Sequence, residues 1–417
     1  MGAMLRGRGS VSRRSLIAAA GVVAGGAVVI GRAAKAQSAR APLKIGVLTD
    51  MTGIFSDNTG IGLVTAARMA VEDFGGSVDG TPIEVIVADH QNKPDIASAI
   101  ARDWIDSSGV SVIVDAVGTA VALAVQALAA SKNCALLNIG SGGSDLTGKA
   151  CTPVSVQWVW DTYAAGTILG QATIARGSKT FFFVVADYTF GQQMMRDTTR
   201  AIEAAGGTVV GSVRHPFGMT DFSSVMLQAA GSKADVVVLA NAGGDTINAL
   251  KAANEFRLTA DGHQTVAGLI GIREVCSLGL QATQGVVTSC FFYWDSDAGT
   301  RAFAARFLKR VGFMPGELQA GAYSAMTHYL KAVAKAGTAD AKTVVRTMQS
   351  FPVSDFFASH GTLRPDGRMV HDVRLVQIKS PAESKGEWDL MKPLATYPGE
   401  QVFRPLHGGG CPLVAGQ

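Results

Sequence analysis

The stretch Leu43-Lys44-Ile45-Gly46-Val47-Leu48-Thr49-Asp50 and the run 62–74 that follows it decide the fold. The first is almost continuously apolar, as a parallel strand covered on both faces is. The second places apolar residues at helical spacing. The same alternation recurs along the chain, and it predicts a series of βαβ units with a parallel sheet.

The alternation occurs in two sets. The first has predicted strands at 43–50, 83–90, 110–117 and 135–140, with helices at 62–74, 96–107 and 120–131. The second has strands at 180–187, 208–215, 235–241 and 266–270, with helices at 190–205, 222–230 and 246–256. A strand at 285–294, helices at 298–310, 317–336 and 341–349, and strands at 373–379 and 388–393 follow.

Two sets of similar size predict two α/β lobes. No low-complexity linker separates them, which favours several short crossovers that share a hinge. The predicted boundaries are 42–159 plus 296–355 for lobe I, 160–295 plus 356–400 for lobe II, and 401–417 for a C-terminal tail.

Composition excludes several classes of protein. The chain has 417 residues, of which 47% are hydrophobic and 17% charged, so it is not disordered. Residues 1–36 hold six basic residues and no acidic one, which leaves 31 basic against 33 acidic residues in the remainder. Residues 37–417 therefore carry almost no net charge, whereas proteins that bind nucleic acid are typically basic, so the composition argues against a nucleic-acid partner.

The first 36 residues have the pattern of an export signal. Ser12-Arg13-Arg14-Ser15 precedes an apolar run at 16–30, and Ala34-Lys35-Ala36 offers a cleavage site before Gln37. The paired arginines resemble a twin-arginine signal, although a Sec-type signal is the alternative. The run is shorter than the roughly 20 residues that span a bilayer. The prediction is therefore a cleaved signal and a periplasmic protein.

The five cysteines fit an oxidising compartment. Cys134 and Cys151 are near in sequence, as are Cys276 and Cys290, and each pair would close a short loop. We therefore take these four as disulfide candidates, which leaves Cys411 over. Buried free thiols are the alternative.

Four turns share one design, in which a strand ends and small or polar residues precede a helix. They lie at 49–57, 117–120, 138–144 and 240–245. The carboxyl ends of parallel strands form the ligand crevice of open α/β sheets, and helix N-termini there suit a carboxylate. Aromatic clusters at 158–163, 187–191 and 291–295 predict an aromatic-lined pocket, with hinge and core packing as the alternative.

Catalytic signatures are missing from the sequence. It has no H-E-x-x-H and no G-x-S-x-G, and its histidines form no pair at ligand spacing. Gly143 to Lys149 matches the start of a phosphate loop, but Ala150 stands where that loop needs Ser or Thr. We therefore expect no enzyme activity, no cofactor and no metal.

Five segments together resemble a known family. They are Leu43 to Gly53, Ala66 to Phe74, Asp145-Leu146-Thr147, Asp187-Tyr188-Thr189-Phe190-Gly191 and Ala322-Tyr323-Ser324-Ala325. Their order and spacing resemble the type I periplasmic solute-binding proteins of ABC importers, the branched-chain amino-acid-binding class, over about 42–400. The resemblance implies two Rossmann-like lobes with parallel-sheet cores, joined by a three-crossover hinge and closing on a small solute.

The resemblance also implies a ligand site. Thr119 and the turn Ser141-Gly142-Gly143 fall where family members bind a carboxylate, Phe190 where an aromatic covers the ligand, and Asp245 where amino-acid binders hold the ammonium unless it caps its helix. With the turns and the aromatic clusters, the predicted ligand-binding residues are Phe55, Asp57, Asn58, Gly118, Thr119, Ser141, Gly142, Gly143, Trp160, Tyr163, Asp187, Tyr188, Phe190, Asn241, Ala242, Gly243, Asp245, Leu269 and Ile270.

The predicted function is capture of a small organic solute, above all an aromatic or apolar carboxylate, by a monomer that delivers it to an ABC permease in the inner membrane. Leu269 and Ile270 are apolar, which favours this ligand over an amino acid. The alternatives are a branched-chain or other amino-acid binder, a ligand sensor on the same fold, and an exported enzyme.

Overall fold

The structure is a computed structural model that describes residues 41–258 and 262–415. The predicted export signal at 1–36 lies outside these residues. Among the helices of the two described ranges, none has both the length and the apolar character that crossing a bilayer requires.

The first sheet has six strands in the order β2-β3-β1-β4-β5-β6, and all neighbours are parallel except β2 and β3. The strands are β1 (Leu43–Thr49), β2 (Ser77–Val78), β3 (Thr81–Asp89), β4 (Val110–Asp115), β5 (Ala135–Asn138) and β6 (Ser155–Gln157).

The second sheet has seven strands in the order β15-β14-β11-β10-β9-β7-β8. Its strands are β7 (Thr180–Ala186), β8 (Thr208–His215), β9 (Val236–Ala240), β10 (Gln264–Ala267), β11 (Val287–Cys290), β14 (Val373–Ile378) and β15 (Met391–Tyr397). The first five are parallel, whereas β14 and β15 pair antiparallel at one edge. A separate two-stranded ribbon consists of β12 (Thr362–Leu363) and β13 (Met369–Val370).

Helices cover the faces of both sheets. They are α1 (Gly60–Asp73), α2 (Pro94–Asp103), α3 (Thr119–Ser131), α4 (Thr162–Ala175), α5 (Thr189–Ala204), α6 (Ser223–Gly231), α7 (Gly244–Glu255), α8 (Ile272–Leu278), α9 (Leu280–Thr283), α10 (Ala298–Val311), α11 (Glu317–Ala336), α12 (Ala341–Gln349) and α13 (Gly399–Val402).

Strand β1 shows why its sequence is so uniformly apolar. Ile45 and Val47 point into a core shared with α1 and α11, whereas Leu48 points into a second core shared with α2 and α3. Successive side chains of a strand face opposite sides, so a strand covered twice needs apolar residues at nearly every position.

The chain passes between the two sheets three times. It leaves the first sheet after β6, returns after β11 to place α10 and α11 against α1, and goes back to add β14 to β11. At the crossing after β6, the buried Arg368 guanidinium donates to the carbonyls of Trp158 at 2.7 Å and Trp160 at 2.9 Å. The prediction of two parallel-sheet lobes joined by three crossovers is confirmed.

Helix α4 is absent from the sequence prediction. Ten of its residues are buried, among them Ala164, Gly166 and Gly170, so it has no polar face to reveal the helical period. Its start is marked instead by Asp161, whose carboxylate accepts from the N–H of Ala164 at 2.7 Å. Strands β2 and β6, of two and three residues, were also not predicted.

The predicted disulfide pairs are wrong. Cys151 bonds to Cys411, 260 residues away in sequence, and the bond ties the C-terminal tail to the loop that follows β5. Cys134 is a buried free thiol among the apolar residues beneath α2 and α3, while Cys276 and Cys290 are also free. Nearness in sequence misled the prediction, because Cys134 and Cys151 lie in different clusters of the fold.

Candidate functional site

A cavity lies between the two sheets, where strands of both end. The space among its lining residues is about 390 Å³, part of it open to solvent. Within 41–258 and 262–415, none of the side chains that line the cavity carries a charge. The lining residues are Phe55, Asn58, Val117, Gly118, Thr119, Gly140, Ser141, Gly142, Trp160, Tyr188, Phe190, Ala242, Leu269 and Leu318.

The N-terminus of α3 forms the polar wall of this cavity. The first intrahelical bond runs from Ala122 N to Gly118 O, so the N–H groups before Ala122 have no carbonyl within the helix. The hydroxyl of Thr119 is buried and has no hydrogen-bond partner among the described residues. Gly118 adopts a φ of 95°, which a residue with a Cβ rarely accepts. This wall offers hydrogen bonds and a positive dipole end to an acceptor.

The side chain of Asp115 forms a hydrogen bond with the turn after β5. Its carboxyl accepts from Gly140 N at 2.8 Å and from the Thr49 hydroxyl at 2.6 Å. Asp115 and Ala116 have φ values of 84° and 81°, a strained conformation that neighbouring bonds must hold in place. Burial raises the pKa of Asp115 to about 7. The bond from Gly140 N to the Asp115 carboxyl thus helps to position Gly140, which lines the cavity.

Gly142 is required by an aromatic neighbour. A Cβ on this residue would lie 2.3 Å from the ring of Trp160, which covers the turn. The indole Nε1 of Trp160 is buried without a partner in the described part of the chain. Thr119 and Trp160 therefore bring two unused donors to one cavity.

Aromatic rings form the opposite wall. Phe190 at the start of α5 contacts Trp160 edge-on, with ring centroids 5.7 Å apart. Tyr188 packs against Phe190 at 5.8 Å and against Phe217 at 4.7 Å, and Phe217 also reaches Phe55 at 6.1 Å. Rings from both lobes thus surround the apolar part of the cavity.

Several predicted site residues lie outside the cavity lining in the first lobe and at the crossing. Asp57 is exposed and pairs with Arg273 at 3.3 Å. Gly143 lies behind Thr119, whose Cγ2 a Cβ there would meet at 2.3 Å. The Tyr163 ring lies under the Arg200 guanidinium at 3.8 Å.

The second lobe has further predicted residues away from the lining. Asp187 pairs with Arg214 at the surface. Asn241 accepts from Thr246 and approaches His215 at 3.3 Å. Gly243, Asp245 and Ile270 are also absent from the lining. The carboxylate of Asp245 accepts from Gly218 N at 3.2 Å. Ile270 packs in the core near α8.

Three lining residues were not among those predicted. Val117 and Gly140 belong to predicted turns, so the pattern that located the crevice already contained them. Leu318 is different, because it comes from the start of α11, far along the chain. No local pattern distinguishes Leu318 from an ordinary core leucine.

The turns of the two lobes contact each other on both sides of the cavity. On one side, Asn58 Nδ2 donates to Glu274 Oε1 at 2.9 Å. On the other, the Ser144 hydroxyl donates to Asp197 at 2.6 Å, and Arg196 pairs with Asp145 at 3.3 Å. The structure is thus a closed form.

The chain matches a family model described as periplasmic binding protein over residues 42–387. The chain belongs to the periplasmic binding protein family. Its fold and solved relatives make it a type I member of the branched-chain amino-acid ABC-transporter class. This periplasmic binding protein resembles one from Burkholderia mallei, with 45% identity, a TM-score of 0.87 and coverage of 89% of this chain and 99% of that one.

Two further relatives show the breadth of the family. Leu/Ile/Val-binding protein homolog 6 of Brucella melitensis is 25% identical over 364 residues, 85% of this chain and 91% of that protein. A solute-binding protein of an ABC transporter from Rhodopseudomonas palustris, solved with 3,4-dihydroxybenzoic acid, has 23% identity, a TM-score of 0.78 and coverage of 86% and 98%. At that identity the likeness concerns the fold. Family members are periplasmic solute-binding proteins rather than enzymes.

Proposed function

We propose that this protein captures a small organic carboxylate between its lobes and delivers it to an ABC permease in the inner membrane. The observation that carries the proposal is the pair of buried, unpartnered donors on the cavity wall, Thr119 Oγ1 and Trp160 Nε1. Buried polar groups are normally paired, and leaving one unpaired costs about 1–3 kcal/mol. A carboxylate supplies acceptors for both donors and for the α3 N-terminus.

The body of the ligand is apolar or aromatic in this proposal. Phe55, Trp160, Tyr188 and Phe190 line the cavity, and stacked or edge-on rings complement an aromatic acid. The Rhodopseudomonas relative shows that the fold can hold a dihydroxybenzoic acid. Asp245 accepts from Gly218 and is not among the lining residues, so no carboxylate of the described residues lines the cavity for an α-ammonium group.

A branched-chain or other amino acid is the second candidate. The Brucella relative is named a Leu/Ile/Val-binding protein, and Leu269 and Leu318 would suit an aliphatic side chain. This candidate requires Asp245 to leave Gly218 and turn toward the ligand. One oxygen of Asp245 is buried without a partner in the described residues, which is the observation in its favour.

Closure is the proposed working step. The carboxylate contacts the first lobe through Thr119, and Phe190 and Tyr188 cover it from the second. A ligand that contacts both lobes stabilises the closed form by its differential affinity. The lobe boundaries given above, a monomeric state, a cleaved export signal and a non-catalytic role complete the proposal. A sensor on the same fold would close in the same way but would signal to a partner instead of a permease.

A thermal-shift screen of residues 37–417 tests the proposal. The panel holds benzoates, phenylpropanoid acids, aliphatic acids, amino acids, amides and urea. A ligand at 100 times its Kd adds about 2.7 kcal/mol to the free energy of unfolding, a shift of a few degrees. Aromatic or aliphatic acids should raise the melting temperature.

Matched variants make the screen specific. Thr119→Val removes the unpaired hydroxyl at nearly constant shape, and Trp160→Phe removes the indole N–H; each should weaken acid binding at least about tenfold. Thr208→Val, at an exposed position on β8, is the control and should bind as the parent does. A shift only with amino acids would favour the second candidate. Stabilisation by amides alone, with Thr119→Val unaffected, would contradict the carboxylate.

A further inference from the structure

One exposed aromatic ring connects the two lobes. Phe217, in the loop between β8 and α6, is 38% exposed, and it is the only aromatic among the exposed large apolar side chains of the described residues. Its ring contacts Tyr188 of the second lobe at a centroid distance of 4.7 Å and Phe55 of the first lobe at 6.1 Å. Both partners line the cavity, whereas Phe217 does not. Phe217 therefore lies between two cavity-lining rings and solvent.

A second segment of the same lobe also packs against Phe55. Gly243, at the start of α7, has a φ of 59°, and a Cβ on it would lie 3.0 Å from the carbonyl oxygen of Ile54 and 3.2 Å from Cδ1 of Phe55. These distances are shorter than ordinary van der Waals contact, so the turn at Gly243 can approach Phe55 this closely only without a side chain. Phe55 thus contacts two segments of the second lobe, the loop that carries Phe217 and the turn at Gly243.

The loop that carries Phe217 is held by polar groups of its own lobe. The carboxylate of Asp245, a residue that is 1% exposed, accepts from Gly218 N at 3.2 Å. One residue further on, the Met219 carbonyl accepts from Asn248 Nδ2, also at 3.2 Å. Both bonds run from α7 to the backbone directly after Phe217. The second lobe itself therefore holds this ring toward the first lobe.

We propose that Phe217 is the gate of the ligand cleft, a ring that stabilises the closed form and slows the exit of the ligand without selecting which ligand is bound. The inference rests on the proposed function, since a gate requires a solute held between the lobes. Phe217 and Phe55 belong to different lobes, so their contact is lost when the lobes separate. The contact therefore favours the closed form, whatever the cavity holds.

The gate acts on one step of the binding cycle. The ligand enters the open form, in which Phe217 and Phe55 are apart, so the rate of entry should not depend on their contact. The ligand leaves only after the lobes have opened, and opening breaks the contact. Removal of the Phe217 ring should therefore raise the dissociation rate constant and leave the association rate constant nearly unchanged. Phe190 differs in this respect, because it lines the cavity and its effect depends on the body of the ligand.

A thiol on the cavity wall tests the gate without any ligand. Ala242→Cys supplies this thiol in residues 37–417, and Cys276→Ser removes the partly exposed native one. Addition of Phe217→Ala should speed the reaction of the thiol at position 242 with a fluorescent maleimide at least about fivefold, and Phe217→Leu should be intermediate. Leu227→Ala is the matched control, because it removes an exposed apolar side chain of α6 outside the cavity lining, and its labelling rate should equal that of the parent. Equal rates in the parent and in Phe217→Ala would overturn the gate.

Stopped-flow fluorescence measures ligand entry and exit separately. The probes are benzoate, hexanoate and L-leucine, and the signal is the change in tryptophan emission, to which Trp160 on the cavity wall contributes. For each probe that binds, Phe217→Ala should raise the dissociation rate constant about tenfold and change the association rate constant less than about twofold. The fold-change should be the same for each of them, since Phe217 does not line the cavity.

A second background assigns the effect to the contact between the lobes. Phe55→Ala removes the first-lobe ring, so adding Phe217→Ala to it should change the dissociation rate constant less than about twofold. Leu227→Ala should leave both rate constants as they are in the parent.

The outcomes separate this inference from the proposed function. An unchanged dissociation rate constant in Phe217→Ala would refute the gate while leaving the carboxylate site intact. A change confined to the association rate constant, or an undiminished effect in the Phe55→Ala background, would refute it as well. Failure of benzoate, hexanoate and L-leucine alike to bind would count against the proposed function, and the labelling rates would then decide the gate by themselves.

Discussion

The hydroxyl of Ser144, beside the glycine-rich turn of the first sheet, donates to the carboxylate of Asp197 on α5 at 2.6 Å. The same carboxylate oxygen accepts from Thr162 at 2.5 Å. This buried contact joins the wall that carries Thr119 and Ser141 to α5, the helix whose first turn carries Phe190. It is therefore placed to stabilise the closed arrangement of the two lobes.

Ser144→Ala should weaken binding of the ligand by favouring the open form. The variant removes this contact, and with it the bond that Arg196 donates to the same hydroxyl at 2.7 Å, but leaves Thr162 bonded to Asp197. We therefore expect a loss of about 1 kcal/mol, or roughly fivefold in affinity. The double variant Ser144→Ala/Asp197→Ala should bind the ligand with the same affinity as Asp197→Ala alone, because both substitutions remove the same contact. Calorimetry measures the affinities, and small-angle scattering should show a larger ligand-bound radius in the variants. Full affinity in Ser144→Ala would show that the contact does not support closure.

Phe190→Ala should weaken ligand binding without unfolding the protein. The ring packs against Trp160 and Tyr188 at the cavity wall, and its removal takes away contact with the apolar body of the ligand. We expect a loss of about 1–3 kcal/mol in binding. The circular dichroism spectrum should stay that of the parent. Phe190→Leu should be intermediate, and an unchanged affinity in Phe190→Ala would remove this residue from the site.

Asp115 should make the protein less stable as the pH rises from about 4 to about 7. The pKa of this carboxyl rises from 3.8 to about 7 on folding because the group is buried, so the folded state binds more protons than the unfolded state in that window. Its contribution is most favourable below the unfolded pKa and is lost as the pH passes through the folded pKa. Glu317 contributes in the same direction up to about pH 8.

The variant Asp115→Asn isolates this contribution. It cannot ionise and keeps one oxygen to accept from Gly140 or Thr49. We expect the free energy of unfolding of the variant, relative to that of the parent, to increase between pH 4 and 7 and to level off above pH 7. Urea unfolding at several pH values measures this difference. A difference that does not change with pH would contradict the shifted pKa.

Cys411→Ser should lower the free energy of unfolding by about 2–4 kcal/mol, the usual effect of losing a native disulfide. Cys151→Ser and the double variant should match it, because each removes the same bond. Cys134→Ser serves as the thiol control and should leave the Cys151–Cys411 bond in place. Thiol titration of the unfolded, unreduced parent should find three free thiols, and five would exclude the bond.

The sequence predicted the fold well where burial dictates residue type. Strands such as β1, β4 and β9 are covered on both faces, so their apolar runs identify them and their order indicates two parallel sheets. The prediction failed for α4, whose nearly complete burial removes the polar face. It also failed for the disulfide, because the partner of Cys151 lies 260 residues away.

The site divides in the same manner. Thr119, Ser141, Tyr188 and Phe190 follow strands whose ends can be read locally, and all four line the cavity. Asp187 and Asp245 follow strands too, but Arg214 and Gly218 engage their carboxylates elsewhere. Leu318 was not predicted, since only the return of the chain after β11 brings α11 to the cleft.

The pairing of β14 with β11 also bears on how the chain is made. A nascent polypeptide that has reached Cys290 exposes one edge of β11 until Val373 emerges, and α1 lacks its partner helix until α11 is complete. Contacts between such distant segments slow folding and prolong the exposure of unpaired strand edges. A ribosome-bound chain truncated before Val373 would thus be expected to engage a chaperone, because the last part of the gene encodes the strands and helices that finish both halves of the molecule.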